Sequence, residues 1–181
     1  MDYLVLSDTH GNRGALRAVT ERLNFHPAAL LFLGDGARDL PFFSALPGMA
    51  DVPVIAVRGN CDSPFDPLAA GLDEERCIYL EDKKILMFHG HRLGVRAGID
   101  RIAQTGARRE ADVVLFGHTH VAYETTLPAG EEVGDGLVLK KPLLIANPGS
   151  AGEPRDGFAL RFGVLTIRSG VVLFSHGSVE R

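Results

Sequence analysis

The feature that most constrains this chain is a series of five short apolar runs, each of which stops abruptly at polar residues. The runs end near Leu6, Leu33, Val57, Phe88 and Phe116. Apolar residues at helical spacing lie between several of these runs, so strands and helices alternate and parallel pairing is favoured. In an open α/β sheet, ligands bind at the carboxyl ends of the strands. We therefore expect the polar residues that follow the five runs to meet at one edge of a sheet.

The second half of the chain changes from this alternation to a mostly β pattern. Helices are predicted over residues 40–46 and 96–106, after a first helix that contains Ala15 and Leu23. Apolar runs predict the later strands, over residues 76–80, 84–88, 112–116, 121–127, 137–146, 159–167 and 171–176. The pair Ser169-Gly170 predicts a tight hairpin turn. No repeat or linker divides the chain, so we expect a single domain over residues 1–181.

Two of the polar clusters have the form ligand-x-ligand, Asp8 with His10 and His118 with His120. Residues i and i+2 of an extended chain point to the same side, so each pair is expected to hold one site. The remaining donors are single residues beside glycines, which let the backbone turn sharply. The candidate ligands at the five strand ends are Asp8, His10, Asp35, Asn60, His89, His118 and His120.

These seven donors are too many for one tetrahedral zinc ion, and none of them is a thiolate. A mixture of carboxylate, amide and imidazole donors suits two divalent ions such as Mn, Fe, Co, Ni or Zn, with one carboxylate as a bridge. Two dications with Asp8 and Asp35 leave a net charge of roughly +2, which favours an anionic phosphate ester. Two such ions can activate a bridging water, so no protein nucleophile is required.

Each motif taken alone has an ordinary structural explanation, because Gly-Asp and Gly-Asn pairs are typical of turns. The combination is more informative, since the five clusters contain five of the seven histidines in the chain. The other two, His26 and His176, lie outside this pattern and are expected to be solvated or structural.

The charge and composition of the chain exclude several classes of function. It has 19 basic and 23 acidic residues, a formal net charge of −4, which disfavours binding to long nucleic acid or to an acidic membrane surface. Two cysteines are too few for a disulfide scaffold and indicate a reducing compartment. No apolar run approaches the roughly 18–20 residues of a membrane span, and the residues after Met1 do not form a signal peptide. These observations predict a cytoplasmic protein that does not insert into a membrane.

Taken in order, the motifs DTHGN, GD, GNCD, HGH and GHTH resemble the signature of calcineurin-like metallophosphoesterases across residues 8–120. The sequences VRGNCDS at 57–63 and NPGS at 147–150 are similar to the compact YfcE-like phosphodiesterase family. The resemblance implies an α/β fold, a four-layer αββα sandwich in which two mixed sheets are flanked by helices. It also implies a metal-dependent phosphoesterase, in the first place a phosphodiesterase, in which a hydroxide bound by two metals attacks phosphorus.

The resemblance also implies a role for each site residue. It divides the candidate ligands between two metals: Asp8, His10 and His120 for the first, Asn60, His89 and His118 for the second, and Asp35 as the bridge. Manganese is the first expectation for both ions, with iron, zinc, nickel or cobalt as alternatives. The catalytic residues are His91, which contacts phosphate or protonates the leaving group unless its role is structural, and Asn60. Asn60 and Asn12 are expected near a nonbridging phosphate oxygen, and the NPGS segment is either part of the site or a tight structural turn.

Two departures from the family pattern bear on the substrate. Cys61 stands where many metallophosphoesterases have a histidine that stabilises charge or protonates the leaving group. General acid catalysis typically contributes about 10²–10⁴-fold, so its loss favours diesters or activated esters over ordinary monoesters. The segment after Asp35 lacks the protein phosphatase pattern GDxxDRG, which disfavours a protein phosphatase. Arg38 in that segment either reaches the phosphate or is a solvated loop residue.

The alternative function is a catalytically weak or inactive protein-binding scaffold on the same fold, as in the metallophosphoesterase-like subunit of retromer. Animal versions of that scaffold have lost some of the ligands, whereas all seven positions here carry a competent donor. This difference favours retained chemistry on a small phosphate ester. The resemblance also allows a homo-oligomer, either a dimer or a larger assembly.

Overall fold

Ten strands form two five-stranded mixed sheets in the computed structural model of this chain, which describes residues 1–180. The first sheet contains β1 (Asp2–Leu6), β2 (Leu30–Phe32), β3 (Val54–Ala56), β9 (Leu160–Arg168) and β10 (Val171–Val179). The second contains β4 (Glu75–Leu80), β5 (Lys83–Phe88), β6 (Val113–Leu115), β7 (Ala122–Leu127) and β8 (Leu143–Pro148). The strand orders are β10-β9-β1-β2-β3 and β4-β5-β6-β8-β7.

Three adjacent strands of each sheet are parallel, as the alternation of strands and helices predicted. Strands β1, β2 and β3 pair in parallel, and so do β5, β6 and β8. The antiparallel pairs are β1 with β9 and β9 with β10 in the first sheet, and β4 with β5 and β7 with β8 in the second. Strands β9 and β10 form a hairpin through Ser169 and Gly170. Both turn residues have positive φ, which suits the twist of a two-residue hairpin. The carboxyl ends of the parallel strands therefore lie together at one edge of each sheet.

Burial on both faces of the parallel strands explains their almost continuous apolar sequences. Val5 and Leu165 of the first sheet pack in the same buried cluster as Ile85 and Val113 of the second. The opposite faces are covered by three helices, α1 (Arg13–Arg22), α2 (Leu40–Ser44) and α3 (Asp100–Arg108). Two mixed sheets between helices confirm the predicted α/β class and four-layer sandwich. Within residues 1–180, no helix has the length and apolar character needed to cross a bilayer.

Two predicted elements have different boundaries in the structure. The helix expected over residues 96–106 begins at Asp100, after a 3₁₀ turn (His91–Leu93) and glycines with positive φ. The strand expected over residues 137–146 begins only at Leu143. Pro142 has no backbone N–H to pair, and Leu139 instead bonds with Glu131 and Gly130 in a separate loop. The apolar pattern did not distinguish this loop from the strand that follows it.

Candidate metal centre

The polar residues that follow four of the parallel strands converge at one edge of the sandwich, which we call the site edge. Asp8 follows β1, Asp35 follows β2, His89 follows β5 and His118 follows β6. Asp8, Asp35 and His89 are at most 2% exposed, so the cluster begins inside the protein and opens toward solvent at His118. This convergence is the one expected from the carboxyl ends of the strands.

The side chains form two neighbouring groups, each with its ligand atoms within 4.8 Å of one another. In the first group, Asp8 Oδ1 lies 3.2 Å from His120 Nε2 and 3.8 Å from His10 Nε2. In the second, Asp35 Oδ2 lies 3.2 Å from His89 Nε2, and the rings of His89 and His118 are 5.1 Å apart. The two groups adjoin, because His89 Nε2 is also 3.8 Å from Asp8 Oδ1.

The ligand-x-ligand pairs do not have extended backbone, so the geometric part of that prediction was wrong. Asp8 and His10 nevertheless lie in one group, as expected, whereas His118 and His120 lie in different groups. The strands end before these segments, and non-glycine residues with positive φ carry most of the donors: Asp8, His10, Asp35, His118 and His120. Each such residue costs roughly 1–2 kcal/mol. Strain of this kind is concentrated at functional sites because the surrounding structure must impose it.

The cluster fits a cation, because it is rich in acceptors and poor in donors. Asp8 Oδ1 and His89 Nε2 are buried and have no hydrogen-bond partner within residues 1–180. Every ion pair of Asp8 and Asp35 in this part of the chain is with a histidine, and no lysine or arginine nitrogen lies within 4 Å of either carboxylate. Two buried carboxylates whose ion-pair partners are all histidines have no permanently charged partner, and a bound cation would compensate them.

Backbone carbonyls fix the orientation of two of the imidazoles. His89 Nδ1 lies 2.7 Å from the Leu33 carbonyl, and His120 Nδ1 lies 2.6 Å from the Glu153 carbonyl. A carbonyl oxygen only accepts, so each Nδ1 donates and each Nε2 directs its lone pair into the cluster when the ring is neutral. Histidine ligands of metal ions are commonly oriented in this way.

Burial and charge also set the protonation states in the cluster. Burial would raise the pKa of Asp35, but the neighbouring His89 imidazole and the Cys61 backbone N–H bring it well below its usual range. The pKa of His118 falls to about 4, chiefly through burial and then through the charges of His89 and Arg96. Asp35 is therefore anionic and His118 neutral at neutral pH, the forms in which both bind metal ions.

Most of the glycines beside the candidate ligands are needed because neighbouring atoms approach their backbone closely, and not because the chain turns sharply there. A Cβ on Gly59 would lie 2.1 Å from Asp35 Oδ1, and a Cβ on Gly117 would lie 2.0 Å from Ser7 Oγ. Neither glycine has positive φ, unlike Gly34 before Asp35. The expectation that these glycines mainly turn the chain holds for Gly34 and is wrong for Gly59 and Gly117.

Asp62 is a site residue that sequence analysis missed. Its buried carboxylate accepts hydrogen bonds from the backbone N–H groups of Asp35 (2.8 Å), Gly36 (2.9 Å), Ala37 (2.8 Å) and Gly59 (3.0 Å). It therefore fixes the loop after β2 against the loop after β3. Its place as the acidic residue of the GNCD motif was the available signal.

The NPGS segment lies beside the cluster and holds its backbone, so it is more than a local turn. Ser150 Oγ donates to the Asp8 carbonyl at 2.8 Å, and Asn147 Nδ2 donates to the Gly117 carbonyl at 2.9 Å. These contacts tie the loops after β1 and β6 to the end of β8. Just after the segment, the Gly152 N–H also donates to the Asp8 carbonyl, at 3.1 Å.

Asn60 is exposed and precedes Cys61 in the loop after β3. Its Nδ2 donates to Cys61 Sγ at 3.2 Å, its only side-chain hydrogen bond within residues 1–180, and its Oδ1 is not used in that bond. The Cys61 thiol lies in a third group of ligand atoms, with His10 and Asp35. Burial, followed by Asp35, raises the pKa of that thiol to about 11, and Cys61 forms no disulfide with Cys77.

His91 and Asn12, the other two residues expected to contact phosphate, differ in their positions and contacts. The His91 ring centroid lies 5.5 Å from that of His89 and 6.1 Å from that of His118, and its buried Nδ1 has no partner in the described chain. Asn12 is the N-cap of α1, with Oδ1 accepting from Ala15 N–H at 3.0 Å and Nδ2 donating to the Gly152 carbonyl at 3.4 Å. The structure therefore places His91 beside the cluster and engages both ends of the Asn12 amide in structural contacts.

Comparison with known proteins agrees with this geometry. The calcineurin-like phosphoesterase superfamily domain matches residues 1–170. The chain is 30% identical to the phosphodiesterase YfcE of Escherichia coli K12, over 91% of this chain and 87% of that protein. It is 28% identical to the probable metallophosphoesterase YsnB of Bacillus subtilis 168, over 93% of this chain and 86% of that protein.

A solved structure extends the agreement to the whole fold. Vps29 of Entamoeba histolytica in complex with Zn²⁺ has a TM-score of 0.64 at 20% identity, over 98% of this chain and 99% of that one. The match of the superfamily domain to nearly the full length of the chain, together with this fold, identifies the chain as a member of the calcineurin-like phosphoesterase superfamily.

Proposed function

We propose that this protein is a phosphodiesterase that uses two divalent cations, manganese in the first place. The observation that carries the proposal is the pair of buried, unpartnered atoms Asp8 Oδ1 and His89 Nε2, which lie 3.8 Å apart between two groups of ligands. The residues proposed to hold the ions are Asp8, His10 and His120 for one, Asn60, His89 and His118 for the other, and Asp35 for both.

The bound cations would supply Lewis-acid activation of water and neutralise charge on the phosphate ester. The protein's part is to keep the donors in place and in the right protonation state. Leu33 and Glu153 carbonyls orient His89 and His120, and Asp62 fixes the backbone of Asp35. Because these supporting hydrogen bonds are already formed, little reorganisation of the donors is required when the substrate binds.

His91 and Asn60 are the proposed catalytic residues. His91 lies beside His89 and His118, where its imidazole would contact a phosphate oxygen or donate a proton to the leaving group. Asn60 would serve as ligand through its Oδ1 and as phosphate contact through its amide, which is exposed and bonds Cys61 only through Nδ2. Cys61 has no imidazole to act as general acid, which supports diesters and activated esters as substrates.

A binding scaffold is the second candidate, because Vps29 proteins have the same fold. The two candidates differ at the cluster: a scaffold has no need of buried carboxylates that are surrounded by imidazoles, whereas a metal-dependent phosphodiesterase requires such a ligand set. Five expectations from the sequence stay predictions. They are a small substrate, no binding to long nucleic acid, a homo-oligomer, a cytoplasmic location and a single domain over residues 1–181.

Hydrolysis of bis(4-nitrophenyl) phosphate and of 4-nitrophenyl phosphate tests the proposal directly. Each ester is assayed with Mn²⁺, with other divalent ions and with a chelator. We expect hydrolysis that the chelator abolishes and Mn²⁺ restores, with the diester preferred. Absence of turnover with every ion would overturn the proposal and favour the scaffold.

A further inference from the structure

A cavity of 360 Å³ opens beside the candidate metal centre and has a wall that the proposed chemistry does not use. The residues that line it include His10, Asp35, Arg38, Cys61, Ser63 and Asp66. His10 and Asp35 belong to the cluster, so a ligand whose phosphorus lies at the cluster can extend into this cavity. Arg38 lines the same cavity.

The backbone on either side of Arg38 is held at both ends. Arg38 lies in a 3₁₀ turn (Ala37–Asp39) that begins two residues after Asp35. Before it, the Ala37 N–H donates to Asp62, and after it, the buried Asp39 carboxylate accepts from Thr9 Oγ1 at 2.6 Å. Arg38 therefore has a fixed position relative to Asp35, as a recognition residue requires.

The guanidinium is itself held in place through one of its nitrogens. Arg38 Nε donates to Asp66 Oδ2, and the Asp66 side chain is only 8% exposed, whereas that of Arg38 is 76% exposed. Asp66 is anchored in turn, because its Oδ1 accepts from the Leu68 N–H at 3.0 Å. Both Nη groups of Arg38 have no partner within residues 1–180, so the planar fork is available to a ligand.

The carboxylates that line this cavity already accept hydrogen bonds from donors within the protein. Asp62 accepts four backbone N–H groups, Asp39 accepts from Thr9 and Gly11, and Asp66 holds Arg38. Asp35 belongs to the cluster. Arg38 is therefore the charged group in this cavity that keeps unused hydrogen-bond donors.

We propose that Arg38, held by Asp66, binds a second anionic group of the substrate. The substrate class is then a phosphodiester in which one ester arm carries a phosphate or a carboxylate, both of which match the guanidinium fork. The inference rests on the proposed function for the position of the scissile phosphate. It adds a substrate contact at a position where the sequence favoured a solvated loop residue over a phosphate ligand.

Three 4-nitrophenyl phosphodiesters test this, each with a propyl arm that ends in a carboxamide, a carboxylate or a phosphate. The carboxamide and carboxylate arms match in size and differ in charge, and the phosphate arm distinguishes the two anions. We expect kcat/KM for one anionic ester to exceed that of the carboxamide by about tenfold, the size of one partly exposed charge-assisted hydrogen bond. The difference should lie mainly in KM.

The variant Arg38→Ala should remove this tenfold preference and leave the carboxamide ester unchanged. Arg38→Lys, which keeps charge without the fork, and Asp66→Asn, which releases the guanidinium, should each reduce it in part. The matched control is Arg108→Ala, an exposed arginine that is paired with Asp135 beyond the opposite end of the strands. An undiminished preference in Arg38→Ala would overturn the proposal, and so would an equal loss of kcat on all three esters.

Calorimetric binding separates this inference from the proposed function. The same three esters are titrated into the Mn²⁺-loaded protein and into Arg38→Ala. If no ester is hydrolysed, the phosphodiesterase proposal fails, but tighter binding of an anionic arm that disappears in Arg38→Ala still supports the role of Arg38. Equal affinities for all three esters in the unsubstituted protein overturn that role whether or not turnover occurs.

Discussion

The two edges of the sandwich differ in the ion-pair partners of their acidic residues. We call the edge opposite the site edge the far edge; it is formed by the residues that precede β2, β3, β5, β6 and β8. The far-edge cavity has a volume of 570 Å³, larger than the 360 Å³ of the cavity at the site edge. The acidic residues lining the far-edge cavity each have a lysine partner: Asp82 with Lys83, Glu110 with Lys140 and Asp112 with Lys141. At the site edge, Asp8 and Asp35 have only histidines. Uncompensated buried charge therefore distinguishes the candidate site better than cavity size does.

The largest expected effect is on diester hydrolysis, and it is measured by replacing one histidine at each edge. His118→Ala removes a candidate ligand at the site edge, whereas His26→Ala removes an exposed far-edge histidine that pairs with Asp51 at 3.2 Å. We expect the first to lower Mn²⁺-dependent diester hydrolysis at least roughly 1000-fold, since a lost ion removes several kcal/mol of charge stabilisation. The second should retain full activity. Similar circular dichroism spectra for both variants check the fold, and normal turnover of metal-loaded His118→Ala contradicts the assignment.

The next effect concerns the support of the site edge. Asp62→Ala leaves four backbone N–H groups without their acceptor, at about 1–3 kcal/mol for each one that stays buried. We expect a loss of about 3 kcal/mol in the free energy of unfolding after relaxation, measured with urea, and up to roughly 100-fold in activity because Asp35 is displaced. Asp51→Ala, at an exposed far-edge carboxylate, is the control. Full activity in Asp62→Ala would show that the loop after β2 holds its position without this anchor.

A third pair of variants tests the charge difference between the edges through stability. At about 100 times its dissociation constant, Mn²⁺ should stabilise the protein by about 2.7 kcal/mol, or roughly 5–10 °C in Tm. Asp8→Asn should lose most of this shift, because it replaces a buried carboxylate that has no cationic partner. Asp112→Asn removes a paired far-edge carboxylate, so it should lower Tm slightly and keep the Mn²⁺ shift. A full shift in Asp8→Asn would contradict a cation site at this carboxylate.

The same contrast explains how much the sequence could predict. Runs of buried strand residues are visible as apolar sequence, so the α/β class, the parallel strands and the polar residues at their ends followed from local pattern. His89 directly follows such a run, His118 follows another after a single glycine, and the structure brings both to one edge. A strand end is a local property, and local properties can be recognised in one sequence.

The features that sequence analysis missed depend on approach between distant segments. Asp62 accepts hydrogen bonds from a backbone loop that lies 25–27 residues earlier. Positive φ at His118 and His120 is imposed by packing and has no signature in residue type, since glycine is the residue that favours that region. The extended-chain argument failed for this reason.

Cys61 gives the smallest effect and the sharpest test of substrate preference. Its exposed thiol lies against His10 and Asp35, and its backbone N–H donates to Asp35 Oδ1 at 2.7 Å. Cys61→His adds an imidazole with an ordinary pKa near 6.5 at the same place, where it can protonate a leaving oxygen. We expect the ratio of monoester to diester hydrolysis to rise about tenfold. Cys77→His, at the other exposed cysteine, on β4, should leave the ratio unchanged.

The identity of the leaving group shows whether the gain comes from proton donation. Phenol is a more basic leaving group than 4-nitrophenol and depends more on a general acid, so Cys61→His should accelerate phenyl phosphate more than 4-nitrophenyl phosphate. An equal gain on both monoesters would point to charge stabilisation or tighter binding instead. No change in either rate would mean that the missing imidazole does not limit this site, and the diester preference would then have to come from the walls of the cavity, Arg38 among them.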